Sequence, residues 1–132
     1  MKKLFVWDFH GTLEIGTQKA VVEVSNAILK KNKFSQKFTL SQCRRLAGVK
    51  WYKYFQFLLP QEPHSAHLKL QNECFIFSDS HPEIITKHIR PTPYSHYVLR
   101  QIQNTHSQIL ISNTKPSSLK IFINAVKISN FF

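Results

Sequence analysis

Apolar residues along this chain recur at two spacings, and the change between them outlines the fold. Leu4 to Trp7 is a continuous apolar run that Asp8 cuts off, with Phe9-His10-Gly11-Thr12 following. That pattern predicts a buried strand feeding a tight loop. From Gln18 to Asn32 the apolar residues Ala20, Val21, Val24 and Ile28 fall at helical spacing, and Lys30, Lys31 and Lys33 suit a helix C-terminus. Thr39-Leu40-Ser41-Gln42 has the form of a capping box, and Gly48 is a natural stop. Trp51, Tyr54, Phe55 and Leu58 form the next helical face, closed by Pro60, and Ala66 to Phe77 gives another. Pro82 to His88 predicts one more short helix.

After Arg90 the spacing changes. Thr92-Pro93 reads as an N-cap followed by proline in the first helical position, opening a helix to about Asn104. Gln108 to Ser112 is a second short apolar run and predicts a strand. Asn113-Thr114-Lys115-Pro116 is a turn, and Leu119, Phe122, Ile123 and Val126 mark a final amphipathic helix. The order is strand, long helical insert, helix, strand, helix. It predicts a parallel α/β core interrupted by a helical subdomain.

With 132 residues the chain suits one ordinary domain. Its hydrophobic content of 42%, including 11 phenylalanines, is enough for a packed core and excludes a disordered chain. No apolar run approaches the length of a membrane span, and Asp8 closes the N-terminal run too early for a signal peptide. A cytoplasmic protein without a membrane partner is the expectation. Cys43 and Cys74 fit neither a disulfide framework nor a Cys-x-x-Cys motif, so both are expected as reduced, partly buried thiols. His64-x-x-His67 suits a ligand pair, yet with Cys74 it makes three ligands where a structural zinc site wants four.

Charge is uneven as well as high. The formal net charge is +11, and no acid lies between Glu23 and Glu62 or after Glu83. Such a field attracts phosphate esters and nucleic acid. A charge run is more often a plain solvated face, and Trp51, Tyr52 and Tyr54 beside Lys50 and Lys53 fit a core better than a base-stacking platform.

In an open parallel sheet, ligands bind beyond the carboxyl ends of the strands. Here those ends are Asp8 to Thr12 and Ser112 to Thr114. Asp8 is a carboxylate suited to holding a metal ion or attacking phosphorus. Gly11 permits close backbone approach to an anion, with the N–H groups beyond it as donors. Either motif alone also reads as a mere turn. In this order, around a helical insert, they inform one another.

Phe5-Val6-Trp7-Asp8-Phe9-His10-Gly11-Thr12-Leu13 resembles the first motif of the haloacid dehalogenase superfamily, and Ile109-Leu110-Ile111-Ser112-Asn113-Thr114 is similar to its second. With Arg90-Pro91-Thr92-Pro93-Tyr94 leading back into the core, the phosphoglycolate-phosphatase-like branch is the nearest match. The resemblance implies a Rossmannoid α/β core over 1–16 and 89–132, with a parallel sheet incomplete at its C-terminal end, and an inserted α-helical cap over 17–88. It implies a Mg²⁺-dependent phosphatase acting on a small phosphate ester through an aspartyl-phosphate. Asp8 would be nucleophile and metal ligand, and the backbone carbonyl of His10 a second metal contact. Ser112 would hydrogen-bond the phosphoryl group, helped by the backbone around Phe9, Gly11 and Asn113, with Thr12 also at the phosphate; Lys115, directly after the second motif's turn, could reach phosphate by its position, though it is not the family's lysine. Gly48 and Lys50 resemble a cap loop that helps choose substrate; from the residues alone they are a helix stop and a surface lysine.

The chain departs from the family pattern twice. His10 stands where the family has a second aspartate as general acid and base, and imidazole can shuttle a proton. The lysine motif and the acidic metal-binding motif are missing before Phe132. The expectation is the N-terminal portion of a fuller protein or a degenerate member. A non-catalytic, basic anion- or nucleic-acid-binding module on the same fold is the alternative, and a homo-oligomer through an exposed sheet edge a third possibility.

Overall fold

A computed structural model describes all residues from 1 to 132. The chain divides into two compact units, residues 1–17 with 85–132 and residues 18–84. The first is built on a parallel pair of strands, β1 (Leu4–Asp8) and β4 (Ser107–Ile111), in the register Val6 to Ile109 and Asp8 to Ile111. One strand face carries Phe5, Trp7, Gln108 and Leu110, which are half-buried. The Trp7 indole N–H donates to the Gln108 side chain across the pair at 3.1 Å, and the Gln108 amide donates to the Leu99 carbonyl at 3.0 Å. The opposite face presents Leu4, Val6, Ile109 and Ile111, all exposed.

The core of this unit gathers Phe9, Leu13, Ile85, Ile89, Leu99, Phe122, Val126 and Ile128. Ile85 and Ile89 bracket the end of helix α5 (Pro82–His88), Leu99 comes from α6 (Ser95–Gln103), and Phe122 from α7 (Pro116–Ala125). Pro116 occupies the first turn of α7, where its missing N–H costs nothing. A second, two-residue pair joins β2 (Glu14–Ile15) to β3 (Arg90–Pro91), antiparallel. Helix α6 starts later than Thr92-Pro93 suggests. The Thr92 hydroxyl donates to the Thr12 carbonyl at 2.7 Å and its N–H to Leu13 O at 3.2 Å, so Thr92 ties down β2 and leaves Tyr94, at φ +64°, to precede the helix.

The second unit is helical: α1 (Thr17–Lys31), α2 (Leu40–Arg45), α3 (Trp51–Leu58) and α4 (His64–Ser80), with α1 entering from the first unit at Thr17. Ala20, Val24, Ile28 and Leu29 bury one stripe of α1 against Phe38, Cys43, Tyr54, Phe55, Leu70 and Cys74. The Asn26 side chain clamps the returning loop, accepting from Phe38 N at 2.7 Å and donating to Phe38 O at 3.0 Å. Thr39 and Gln42 form the reciprocal capping box at the start of α2. The buried Ser25 hydroxyl accepts from the Trp51 indole at 2.8 Å, and Tyr54 is buried with Phe38 and Phe55 packed edge-on to one another. Trp51 and Tyr54 are therefore packing groups. His67 is buried too, its Nε2 donating to the Leu59 carbonyl at 2.8 Å, and no group of three His, Cys, Asp or Glu residues could hold a metal ion. No helix is long and apolar enough to cross a membrane.

Both cysteines are free and fully buried. Burial pushes the Cys43 thiol up to about 11, and burial with the Glu73 carboxylate pushes Cys74 up further. A thiolate-directed reagent will label neither in the native protein and both after unfolding; labelling of the native chain would contradict this packing.

Gly16, at φ +108°, sits where β2 gives way to α1, and a Cβ there would lie 2.0 Å from the His88 carbonyl oxygen. Gly48, at φ +90°, has open space around it. Gly16→Ala is expected to cost about 3 kcal/mol or more in urea unfolding, and Gly48→Ala about 1 kcal/mol. Equal losses would show that the contact at Gly16 relaxes freely.

Candidate functional site

Parallel pairing in register delivers the carboxyl ends of β1 and β4 side by side. Asp8 is the last residue of β1, and its partner Ile111 is followed at once by Ser112 and Asn113. Asp8, Ser112 and Asn113, together with Val6, Trp7 and Ile111, line one open depression of about 350 Å³. Asp8 Oδ1 accepts the Phe9 N–H at 2.8 Å, which orients the carboxylate and leaves Oδ2 as its second oxygen. Asp8 and Glu14 are the only carboxylate side chains of the first unit, among eight lysines and arginines.

The loop after Asp8 is wound back on itself. Phe9 O accepts from Thr12 N at 3.2 Å, Leu13 N at 2.9 Å and Glu14 N at 3.3 Å, while Gly11 N–H donates to Glu14 O at 3.0 Å. Gly11 makes the turn possible at φ +78°. The amides of Gly11 and Thr12 thus close the loop, and both residues are exposed. The Phe9 side chain is a fully buried core residue, stacked 6.1 Å from Phe122. Lys115 is the exposed residue preceding α7. Gly48 and Lys50 belong to the other unit, Gly48 in the turn after α2 and Lys50 as the N-cap of α3.

His10 turns toward residues to which the motifs give no role. Its Nδ1 lies 2.7 Å from Glu14 Oε1 and 2.9 Å from Thr17 Oγ1, and its Nε2 lies 2.7 Å from Thr114 Oγ1. The Thr17 hydroxyl also donates to Glu14 Oε1. The Ser112 hydroxyl donates to Thr114 Oγ1 at 2.9 Å and accepts the Thr114 N–H at 3.1 Å. The ring is gripped edge-on between Phe9 and Phe122, each with its centroid 5.0 Å away. Ser112, Thr114, His10 and Glu14 therefore form one unbroken hydrogen-bonded line from the depression to a carboxylate that is 1% exposed. The His10–Glu14 separation of four residues was the only trace of this line in the sequence, and it suggests a helix where the chain makes a loop and strand.

For a Mg²⁺ ion the depression offers one carboxylate, Asp8, since Glu14 is buried and bonded to His10. That donor set fits an ion shared between protein, water and a substrate phosphate, because Mg²⁺ keeps several waters and accepts one or two carboxylates. It does not fit a closed metal centre.

No protein-family model matches the sequence, and no curated protein does either. Solved structures do match. A protein of Bacteroides fragilis described as a haloacid dehalogenase-like hydrolase superposes with a TM-score of 0.80 at 14% identity, over 100% of this chain and 61% of its own. One of Lactobacillus plantarum described as a phosphoglycolate phosphatase gives 0.74 at 16% identity, over 100% and 60%. CbbY of Rhodobacter sphaeroides, solved in complex with phosphate, gives 0.69 at 12% identity, over 96% and 58%. The chain spans about three-fifths of the length of these structures. A parallel pair ending in Asp8 and Ile111, with Ser112 next in the chain and a helical unit interrupting it in sequence, thus has the fold of the haloacid dehalogenase-like hydrolases, with its parallel sheet represented here by two strands.

Proposed function

We propose that this chain carries the phosphoryl-binding face of a phosphohydrolase that cleaves small phosphate esters, with Asp8 as nucleophile. The observation that carries the reading is the placement of Asp8, the last residue of β1, and Ser112, the first residue after β4, at the carboxyl ends of adjacent parallel strands, lining one open depression in a strongly basic unit. This is where open α/β sheets bind ligands, and the positive field draws anionic esters toward it. The phosphate held by the structurally similar Rhodobacter protein is of the same chemical class.

In the proposed reaction the Asp8 carboxylate attacks phosphorus, the bond to the ester oxygen breaks, and the departing alcohol takes its proton from solvent. Water then attacks the aspartyl-phosphate, gives its proton to the hydrogen-bonded line that ends at Nε2 of His10, from which it returns to solvent, and releases phosphate and free Asp8. During attack on phosphorus the Ser112 hydroxyl would turn from Thr114 to a phosphoryl oxygen, and it would return to Thr114 for the hydrolysis of the aspartyl-phosphate. Asp8 and the backbone carbonyl of His10 would hold Mg²⁺, which when bound neutralises charge on the phosphoryl oxygens. Little else is asked of the protein, because phosphoryl transfer is mostly positioning and charge compensation.

Phosphate release from a panel of small esters, with Mg²⁺ and with chelator, tests this. Metal-dependent turnover is expected to fall about a thousandfold or more in Asp8→Asn, and about a hundredfold in Ser112→Ala. Turnover unchanged in Asp8→Asn would remove the nucleophile. A folded wild-type chain that binds phosphate without turnover would instead make this an anion-binding module.

A further inference from the structure

Glu14 is the least expected side chain in the first unit. It sits in a two-residue strand, 1% exposed, with its Oε2 buried and without a hydrogen-bond partner. A buried carboxylate is costly unless it is paired, and here it lies 2.7 Å from Nδ1 of His10. The Thr17 hydroxyl donates to the same oxygen. An oxygen that accepts from a hydroxyl and lies against a ring nitrogen calls for a proton on that nitrogen.

We infer that Glu14 is a positioning residue that holds the proton of His10 on Nδ1 and so leaves Nε2 as the acceptor for the Thr114–Ser112 hydroxyl line. The inference rests on the reading of His10 as the proton-handling group of the proposed reaction. With Nδ1–H donating to Glu14, each contact on the Nε2 side has one donor and one acceptor: Thr114 O–H to Nε2, and Ser112 O–H to Thr114 Oγ1. Reversing the tautomer would set two acceptors, Nδ1 and the carboxylate, against each other at 2.7 Å. Glu14 is the one titratable side chain bonded to the ring, whose other neighbours are Thr17, Thr114 and the edges of Phe9 and Phe122. A proton taken from water at the Ser112 end would move one hydroxyl at a time: Ser112 passes its own to Thr114, and Thr114 passes its own to Nε2. Glu14 thereby keeps Nε2 facing Thr114 as an acceptor, the arrangement that a base–orienter pair requires.

The test is ¹⁵N NMR of the imidazole nitrogens in the full chain, in buffer well above the ordinary imidazole pKa of about 6.5, with His10→Gln used to assign the signal. The wild type should show a pyrrole-type signal at Nδ1 and a pyridine-type signal at Nε2. Glu14→Leu should shift the population to the Nε2–H form that free histidine favours, while Glu14→Gln, which keeps a carbonyl oxygen at the Oε1 position, should restore Nδ1–H. In the phosphate-release assay kcat should fall about tenfold in Glu14→Leu with KM little changed, and recover in Glu14→Gln. A proton on Nε2 of the wild type, alone or together with one on Nδ1, overturns the inference, as does an unshifted tautomer in Glu14→Leu or a shift without loss of kcat. If Glu14→Leu fails to fold, the wild-type spectrum decides. If the wild type shows no turnover, the phosphohydrolase reading fails and the spectra still decide the role of Glu14.

Discussion

The parallel register between β1 and β4 is the constraint on which the site depends. Because Asp8 pairs with Ile111, the residues that follow each strand emerge together, and a carboxylate and a hydroxyl separated by more than a hundred residues of chain share one depression. A slip of one residue would send Asp8 to the other face of the pleat. Register in turn rests on side chains of the half-buried face, where Trp7 and Gln108 bond across the pair and Gln108 reaches on to α6. The chemistry at the strand ends is thus held by packing some distance below it.

In the helical unit, polar side chains bond where they orient something. Ser25 accepts from Trp51, Asn26 clamps Phe38, and His67 donates to Leu59, each joining two segments of the helical unit. Glu14 differs from these in kind. A neutral amide or hydroxyl in the interior needs only a partner, whereas a carboxylate brings a charge whose desolvation its partners only partly offset. A leucine in its place would pack without that cost, and what the carboxylate adds is its bond to His10.

Much of this architecture is legible along the chain because local signals decide it. Thr39 and Gln42 announce α2, Pro82 and His88 bound α5, and the two apolar runs become the two parallel strands. The reading falters where distant residues compete for a local signal. Thr92-Pro93 has the look of a helix start, but its hydroxyl and amide are claimed by Thr12 and Leu13, some eighty residues earlier. The pair of two-residue strands is too short to show any period. In the site, the motifs point to Asp8 and Ser112 and pass over Glu14 and Thr17, whose roles come from a loop wound back by three amides on one carbonyl. A donor spent in such a turn cannot be read from residue type.

The short pair of β2 with β3 has a consequence for how such a chain can change over evolutionary time. It holds the outgoing and returning backbone one strand spacing apart, about 4.8 Å, so the 67 residues of the helical unit hang from a doorway two residues wide. Whatever fits between those posts can lengthen, shorten or be exchanged without altering the register of Asp8 and Ser112. The strand ends and the helical unit can therefore vary as separate modules, with Gly16 at the point where β2 gives way to α1.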